Sequence, residues 1–309
     1  MLRTLAVSVN TFREAVRDRV LHGMLGLALS LLVFTLALAE LALDQQRRIV
    51  LDIGLASISL FSVVMAVFLG SSLLYKEIER KTLYVILPKP IRRHEFLLGK
   101  YFGIVITVTV FVAIMGAVQL WVSALQAGGS LMPLMAAVVG VCLVLGVAMR
   151  FARDRTAVMI PWSLLALLIA SYGAGQTDVA LGPILSQLVL TLGEVLVLSA
   201  VALLFSAFST PFLTALFTTG VWVVGRSADM MIHMKGRMIP ELVRDMLAQL
   251  ARIWPNFNLF VPGRVTLAAR VGDSSEPLGY LASSMAYAVL YSAFLLLCAS
   301  WIFRKRDFL

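Results

Sequence analysis

A chain of 309 residues that is 60% hydrophobic and 14% charged, with a mean hydropathy of +0.93, is not a soluble domain, in which about 25% of residues carry charge. The same composition excludes a disordered tail, a collagen-like rod and a disulfide-stapled secreted module. The two cysteines, Cys142 and Cys298, sit inside apolar runs and form no disulfide framework. A net charge of +9 would suit a polyanion, but in an integral membrane chain excess Lys and Arg report orientation, so no nucleic-acid partner is expected.

Residues 1–19 place Leu2, Leu5, Val9, Phe12, Val16 and Val20 at spacings of three and four, with Arg3, Asn10, Arg13, Glu14, Arg17 and Asp18 off that face. The pattern predicts an amphipathic helix along the inner membrane surface, its apolar face in the acyl boundary and its arginines near anionic headgroups. Such a helix serves as an anchor, or also as a docking surface for a cytoplasmic partner.

A membrane-crossing helix needs about 20 mostly apolar residues to traverse roughly 30 Å of hydrocarbon. Residues 20–39 form the first such run. Ala37, Leu38 and Ala39 resemble a signal cleavage site, but a secretory signal has a core of only about 7–15 residues behind a short basic tip. Residues 53–75 form the second run after a polar loop at 40–52. Residues 101–149 carry no charge and suffice for two crossings joined near Gly128 and Gly129. With the uncharged run 156–177 they predict a hairpin over 131–172, crossing or re-entrant. The run 195–225 would make a helix of roughly 46 Å, too long for one crossing and too short for two, so Ser209, Thr210 and Pro211 mark its turn. The last run, 278–303, ends against Arg304, Lys305 and Arg306.

With the N-terminus inside, 17 of the 26 Lys and Arg residues fall in inner segments. Most of the rest lie in the long outer loop 226–277, where positive charge discriminates least. Both termini inside require an even number of spans: six plus the hairpin, about eight.

Residues 76–100, between the second and third spans, form a charged segment punctuated by Pro88 and Pro90. Each proline disfavours helix in the residue before it, so one helix is expected to end near Ile86 and another to start after Pro90. A basic inner loop accounts for the lysines and arginines; the interleaved Glu77, Glu79 and Glu95 suit a specific protein surface better than lipid phosphate.

Here the chain resembles the permease subunits of type-2 ABC exporters, the ABC-2 family. The cluster Glu79, Arg80, Lys81 and Thr82 follows the second span, and a Lys-Pro-Ile-Arg-Arg-His-Glu-Phe run with Leu-Leu-Gly-Lys-Tyr leads into the third. The likeness extends to TFREAVRDRV at 11–20, ALLFSAFSTPFLTALFT at 202–218, PNFNLF at 255–260 and FRKRDF at 303–308. It covers most of the chain; the departure is the region from 131 to about 175, inserted relative to a six-span pattern. The resemblance implies a single permease domain over 1–309 in a bacterial cytoplasmic membrane. That permease would export a lipid, glycan or amphipathic small molecule, as a homodimer or a heterodimer. It also implies a separate cytoplasmic ATPase that binds ATP and Mg, and a coupling surface made of Glu77, Glu79, Arg80, Lys81, Thr82, Arg92, Arg93 and Glu95. No G-x-x-x-x-G-K-[ST] loop occurs here, so this chain is expected to be no enzyme and to hold no cofactor of its own.

If Pro211 marks a turn, Glu194 falls well inside a span, where an ionised carboxylate costs on the order of 3 kcal/mol. It is then paired, protonated or lining a pathway, and Glu194 is a candidate intramembrane functional residue, the alternative being a hydrogen bond that only packs helices. Residues 240–254 pattern as an outer amphipathic helix, and Arg226 is expected to snorkel to the outer headgroups. His22, His94 and His233 have no acidic or cysteine neighbours at ligand spacing, so no metal site is expected. Neither H-E-x-x-H nor G-x-S-x-G is present. The alternative function is a passive channel or membrane scaffold, which predicts several polar or charged residues along the spans.

Overall fold

A computed structural model describes residues 2–41, 45–79, 92–152, 154–227, 246, 249, 254–260 and 277–305. Among these there is no strand. The helices are α1 (Leu2–Val16), α2 (Arg19–Glu40), α3 (Gln46–Glu79), α4 (Arg93–Gln126), α5 (Leu131–Phe151), α6 (Met159–Gly175), α7 (Leu181–Ser206), α8 (Pro211–Arg226) and α9 (Pro277–Lys305), with a 3₁₀ turn at Phe257–Phe260. Six segments are long and apolar enough to cross a membrane: Arg19–Glu40, Gln46–Ser72, His94–Gln126, Leu131–Phe151, Leu181–Ser206 and Leu278–Phe303. This is the architecture of a multi-pass membrane protein. The chain divides into two compact units, Met1–Met65 with Phe102–Leu192, and Ala66–Tyr101 with Gly193–Leu309.

The boundaries follow from local chemistry. Asp18 caps α2 by accepting from the Val20 amide at 3.0 Å, the short-range bond that favours Asp at such positions. After α4, Gly128 adopts φ +83°. Its amide bonds Leu125 O at 3.1 Å and that of Gly129 bonds Ala124 O at 2.9 Å. This is a Schellman closure, which needs a left-handed residue and therefore glycine. Pro211 opens α8, where its missing N–H costs nothing.

In the first unit, α3 and α4 meet at Gln119, a fully buried amide. Its Nε2 donates to Val50 O at 3.1 Å and to Ser123 Oγ at 3.4 Å. Gly54 has no side chain because the Gln119 amide occupies that space. Helix α6 turns a face of Ser163, Ala166, Ala170 and Ala174 inward, and Trp162 Nε1 donates to Val141 O at 2.8 Å, fastening α6 to α5. Small residues and shared hydrogen bonds are how helices associate where lipid removes the hydrophobic incentive. The remaining surface of α5 is apolar, with Met132, Leu143 and Phe151 among its exposed residues.

Helix α1 departs from the sequence expectation in how it is seated. Its buried face is Ser8, Thr11, Phe12 and Ala15, whereas Leu5 is 65% exposed. That face lies roughly 90° around the helix from the stripe of Leu5, Val9 and Val16, at about 100° per residue. The reason is Gly103 of α4, where a Cβ would collide with the Thr11 side chain and stand 2.9 Å from Ser8 O. The helix thus packs on protein through Ser8, Thr11, Phe12 and Ala15, leaving Leu5 exposed and Val9 and Val16 half-buried. Arg13 also bridges to Asp154 at 2.6 Å, tying α1 to the turn between α5 and α6.

Substituting Gly103 by Leu is expected to unseat α1 and cost about 1–3 kcal/mol, the range for overpacking. Gly26→Leu, where nothing stands within 4 Å of the added carbon, is the matched control. Melting in detergent should fall for the first and stay unchanged for the second.

Candidate functional site, a buried ion pair closed by an aromatic turn

Glu194 stands near the middle of α7 and is fully buried. Two donors from α8 converge on its Oε1: Trp222 Nε1 at 2.7 Å and Arg226 Nη1 at 2.8 Å. The spacing of four brings Trp222 and Arg226 onto one face, with the guanidinium 5.5 Å from the Trp222 ring centroid. Three terms therefore offset the cost of an intramembrane carboxylate: an ion pair, an indole hydrogen bond and a cation–π contact. Of the three states that the sequence left open for Glu194, the structure has the paired one. Arg226, expected to snorkel to headgroups, is 31% exposed and turned onto Glu194. A fixed carboxylate in low dielectric outbids the wetter headgroup region for the guanidinium.

The turn Phe257–Phe260 closes over this pair. Phe257 and Phe260 are fully buried, and each ring stands against a glycine that precedes a member of the pair. A Cβ on Gly193 would lie 2.7 Å from Phe260 Cε1, and one on Gly225 would lie 2.5 Å from Phe257 Cδ2. The turn is shaped by Asn256, whose Oδ1 accepts from the Asn258 amide at 3.0 Å, the local bond that makes Asn a turn former. Helix α9 holds it from the other side. Tyr280 donates its hydroxyl proton to Leu259 O at 2.6 Å, and the Tyr287 hydroxyl accepts from the Asn256 amide at 3.1 Å. Trp254 Nε1 donates to Val221 O at 3.0 Å, anchoring the turn's entry to α8. Residues 254–260, α7, α8 and α9 are thereby joined by directional bonds around one carboxylate.

The charged segment is described only at its edges. Glu77 and Glu79 fall in the last turn of α3, whose side chains lie outside the described residues, as do Arg80, Lys81 and Thr82. Arg92 is exposed and precedes α4; its amide donates to Glu95 Oε2 at 3.0 Å, one half of a capping box. Arg93 opens α4, a start after Pro90 as the prolines predict. Lys100 differs from expectation. It closes the charged segment in the sequence, but it is buried with its ammonium 5.8 Å from the Phe96 ring centroid. The helix begins seven residues earlier, so Lys100 belongs to the inward stripe of Phe96, Leu97, Tyr101 and Ile104. Most of the outer segment 240–254 lies outside the described residues.

Among the described residues no group of three His, Cys, Asp or Glu is placed to hold a metal ion. The signal that could have found the turn's contacts was a pair of dipeptides, Gly193-Glu194 and Gly225-Arg226, each setting a glycine beside one of two opposite charges. No family model matches the chain, and no curated protein matches it.

Filling either glycine should expel a phenylalanine ring. Gly225→Leu and Gly193→Leu are each expected to lower the melting temperature, and Phe260→Ala to cost about 3–5 kcal/mol, as aromatic truncations in cores do. Gly220→Leu, which meets nothing within 4 Å, should leave it unchanged.

Proposed function

We propose that this chain is the membrane-spanning permease subunit of an ABC exporter, driven by ATP hydrolysis in a separate cytoplasmic subunit. The observation that carries the proposal is the length of the two helices that flank the charged segment. Each of these helices has 34 residues, about 51 Å at 1.5 Å per residue, whereas the hydrocarbon core is about 30 Å thick. Each helix is therefore about 20 Å longer than the hydrocarbon core is thick, and in the sequence the charged residues lie at the end of α3, at the start of α4 and between them. A helix that continues unbroken from a charged surface into a span carries a push at one end to the other as a rigid element. That is what coupling to a motor requires.

In this reading the termini are cytoplasmic and the chain crosses eight times, with α5 and α6 as a full crossing hairpin. The Arg13–Asp154 bridge supports it by holding the α5–α6 turn beside the N-terminal helix. Glu77, Glu79, Arg80, Lys81, Thr82, Arg92, Arg93 and Glu95 form the surface for the ATPase. ATP and Mg belong to that partner, and this chain performs no catalysis. The permease works as a dimer, of like or unlike chains, in a bacterial cytoplasmic membrane, and its apolar helices suit a lipid, lipid-linked glycan or amphipathic small molecule. Glu194, engaged by Trp222 and Arg226, is a structural residue of the permease; a passive channel would call for carboxylates facing a pathway.

Purification from native membranes is expected to recover an ATP-binding subunit with the wild type, and Arg80→Glu combined with Arg93→Glu is expected to lose it. Mass spectrometry and an ATPase assay read both outcomes. A chain that elutes alone in every mild detergent, without ATPase activity, would sink the exporter reading in favour of the channel or scaffold.

A further inference from the structure

Two turns of the first unit come together where α1 ends. The α1–α2 turn carries Arg17 and Arg19, both exposed. The turn preceding α6 carries Arg155, also exposed, and is drawn to α1 by the 2.6 Å bridge from Arg13 to Asp154. Between the turns opens a mostly apolar crevice of about 80 Å³ whose lining includes Val16, Leu21, Leu25 and Met159 with the polar His22 and Thr107. Three of its lining residues are close in the chain to the exposed arginines. Val16 and Leu21 flank the arginines of the first turn, and Met159 follows Arg155 by four residues.

An amphipathic helix joined directly to an apolar span occupies the membrane interface. A mostly apolar crevice between turns that carry exposed arginines suits the two halves of one ligand. Guanidinium groups match phosphate geometry through paired N–H donors, and the crevice accepts part of an acyl chain. We propose that these two turns form a binding site for one anionic phospholipid of the leaflet that α1 faces. Arg17, Arg19 and Arg155 hold the headgroup phosphate, and Leu25 and Met159 line the acyl slot. The bridge from Arg13 to Asp154 sets the distance between the two arginine-bearing turns, so the site exists only because the α5–α6 hairpin is docked on α1. The proposal rests on the membrane-spanning character of the chain and not on its coupling to an ATPase.

The test is the melting of the full-length protein in a mild detergent, titrated with phosphatidylglycerol, with phosphatidylcholine of the same acyl chains, and with inorganic phosphate. Phosphatidylglycerol is expected to raise the melting temperature in a saturable manner, while the other two leave it near the starting value. Arg17→Gln with Arg155→Gln, both at exposed positions, should keep the unliganded melting temperature and lose the rise. Leu25→Trp fills the crevice without touching the arginines and should also lose it. Equal stabilisation by phosphatidylcholine, stabilisation by phosphate alone, or a rise that survives both variants would overturn the proposal. So would the absence of any rise with the wild type.

Discussion

A carboxylate in the middle of an apolar helix must be neutralised where it stands, since no water is there to solvate it. Glu194 imposes that demand on α7, and much of the second unit answers it. Helix α8 runs from Pro211 to Arg226, 16 residues in all, a length of about 24 Å that brings the guanidinium back to Glu194. Gly193 and Gly225 remain bare because the Phe260 ring of the 257–260 turn stands against the first, and the Pro255 carbonyl and the Phe257 ring against the second. Once that turn is seated, its own backbone groups need partners. Tyr280 and Tyr287 of α9 supply them.

The first unit obeys the same rule with neutral groups. Gln119 spends its amide on Val50 O and Ser123, Trp162 spends its indole on Val141 O, and serines such as Ser62 bond back to the preceding turn. Each bond links two helices or quiets a hydroxyl that lipid cannot serve. Close approach comes from Gly54, Gly103 and the alanine face of α6. Both units combine such directional bonds and close glycine contacts with buried apolar bulk such as Ile58, Met115 and Leu198, while other apolar residues such as Leu143 are exposed.

The spans were legible in the sequence because hydrophobicity over 20 residues is a bulk property that packing does not overrule. The runs at 20–39, 53–75 and 278–303 fall inside α2, α3 and α9, and the turn at Ser209 to Pro211 separates α7 from α8. What escaped was directional. A helical wheel finds the apolar stripe of α1 but not its packing face, since Ser8 and Thr11 are buried only because Gly103 lies opposite. Lys100 reads as a surface base until the start of α4 fixes its phase with Phe96 and Tyr101. Glu194 announced itself as costly, yet its partner is 32 residues away, and only the hairpin brings the two together. PNFNLF was visible as a motif of the resemblance; its contact with two glycines depends on tertiary structure.

The permease reading needs spans that move as units, and a helical hairpin closed by an ion pair and fastened to α9 through an aromatic turn and two tyrosines suits that need. The claim beneath it is that Glu194 and Arg226 are energetically coupled. A double-mutant cycle of Glu194→Gln, Arg226→Gln and the pair together, measured as unfolding free energy in detergent micelles, tests this directly. Each single substitution should cost about 3 kcal/mol, the lower end for breaking a buried pair. The double should cost less than the sum by at least about 1 kcal/mol. Losses that simply add would contradict the account.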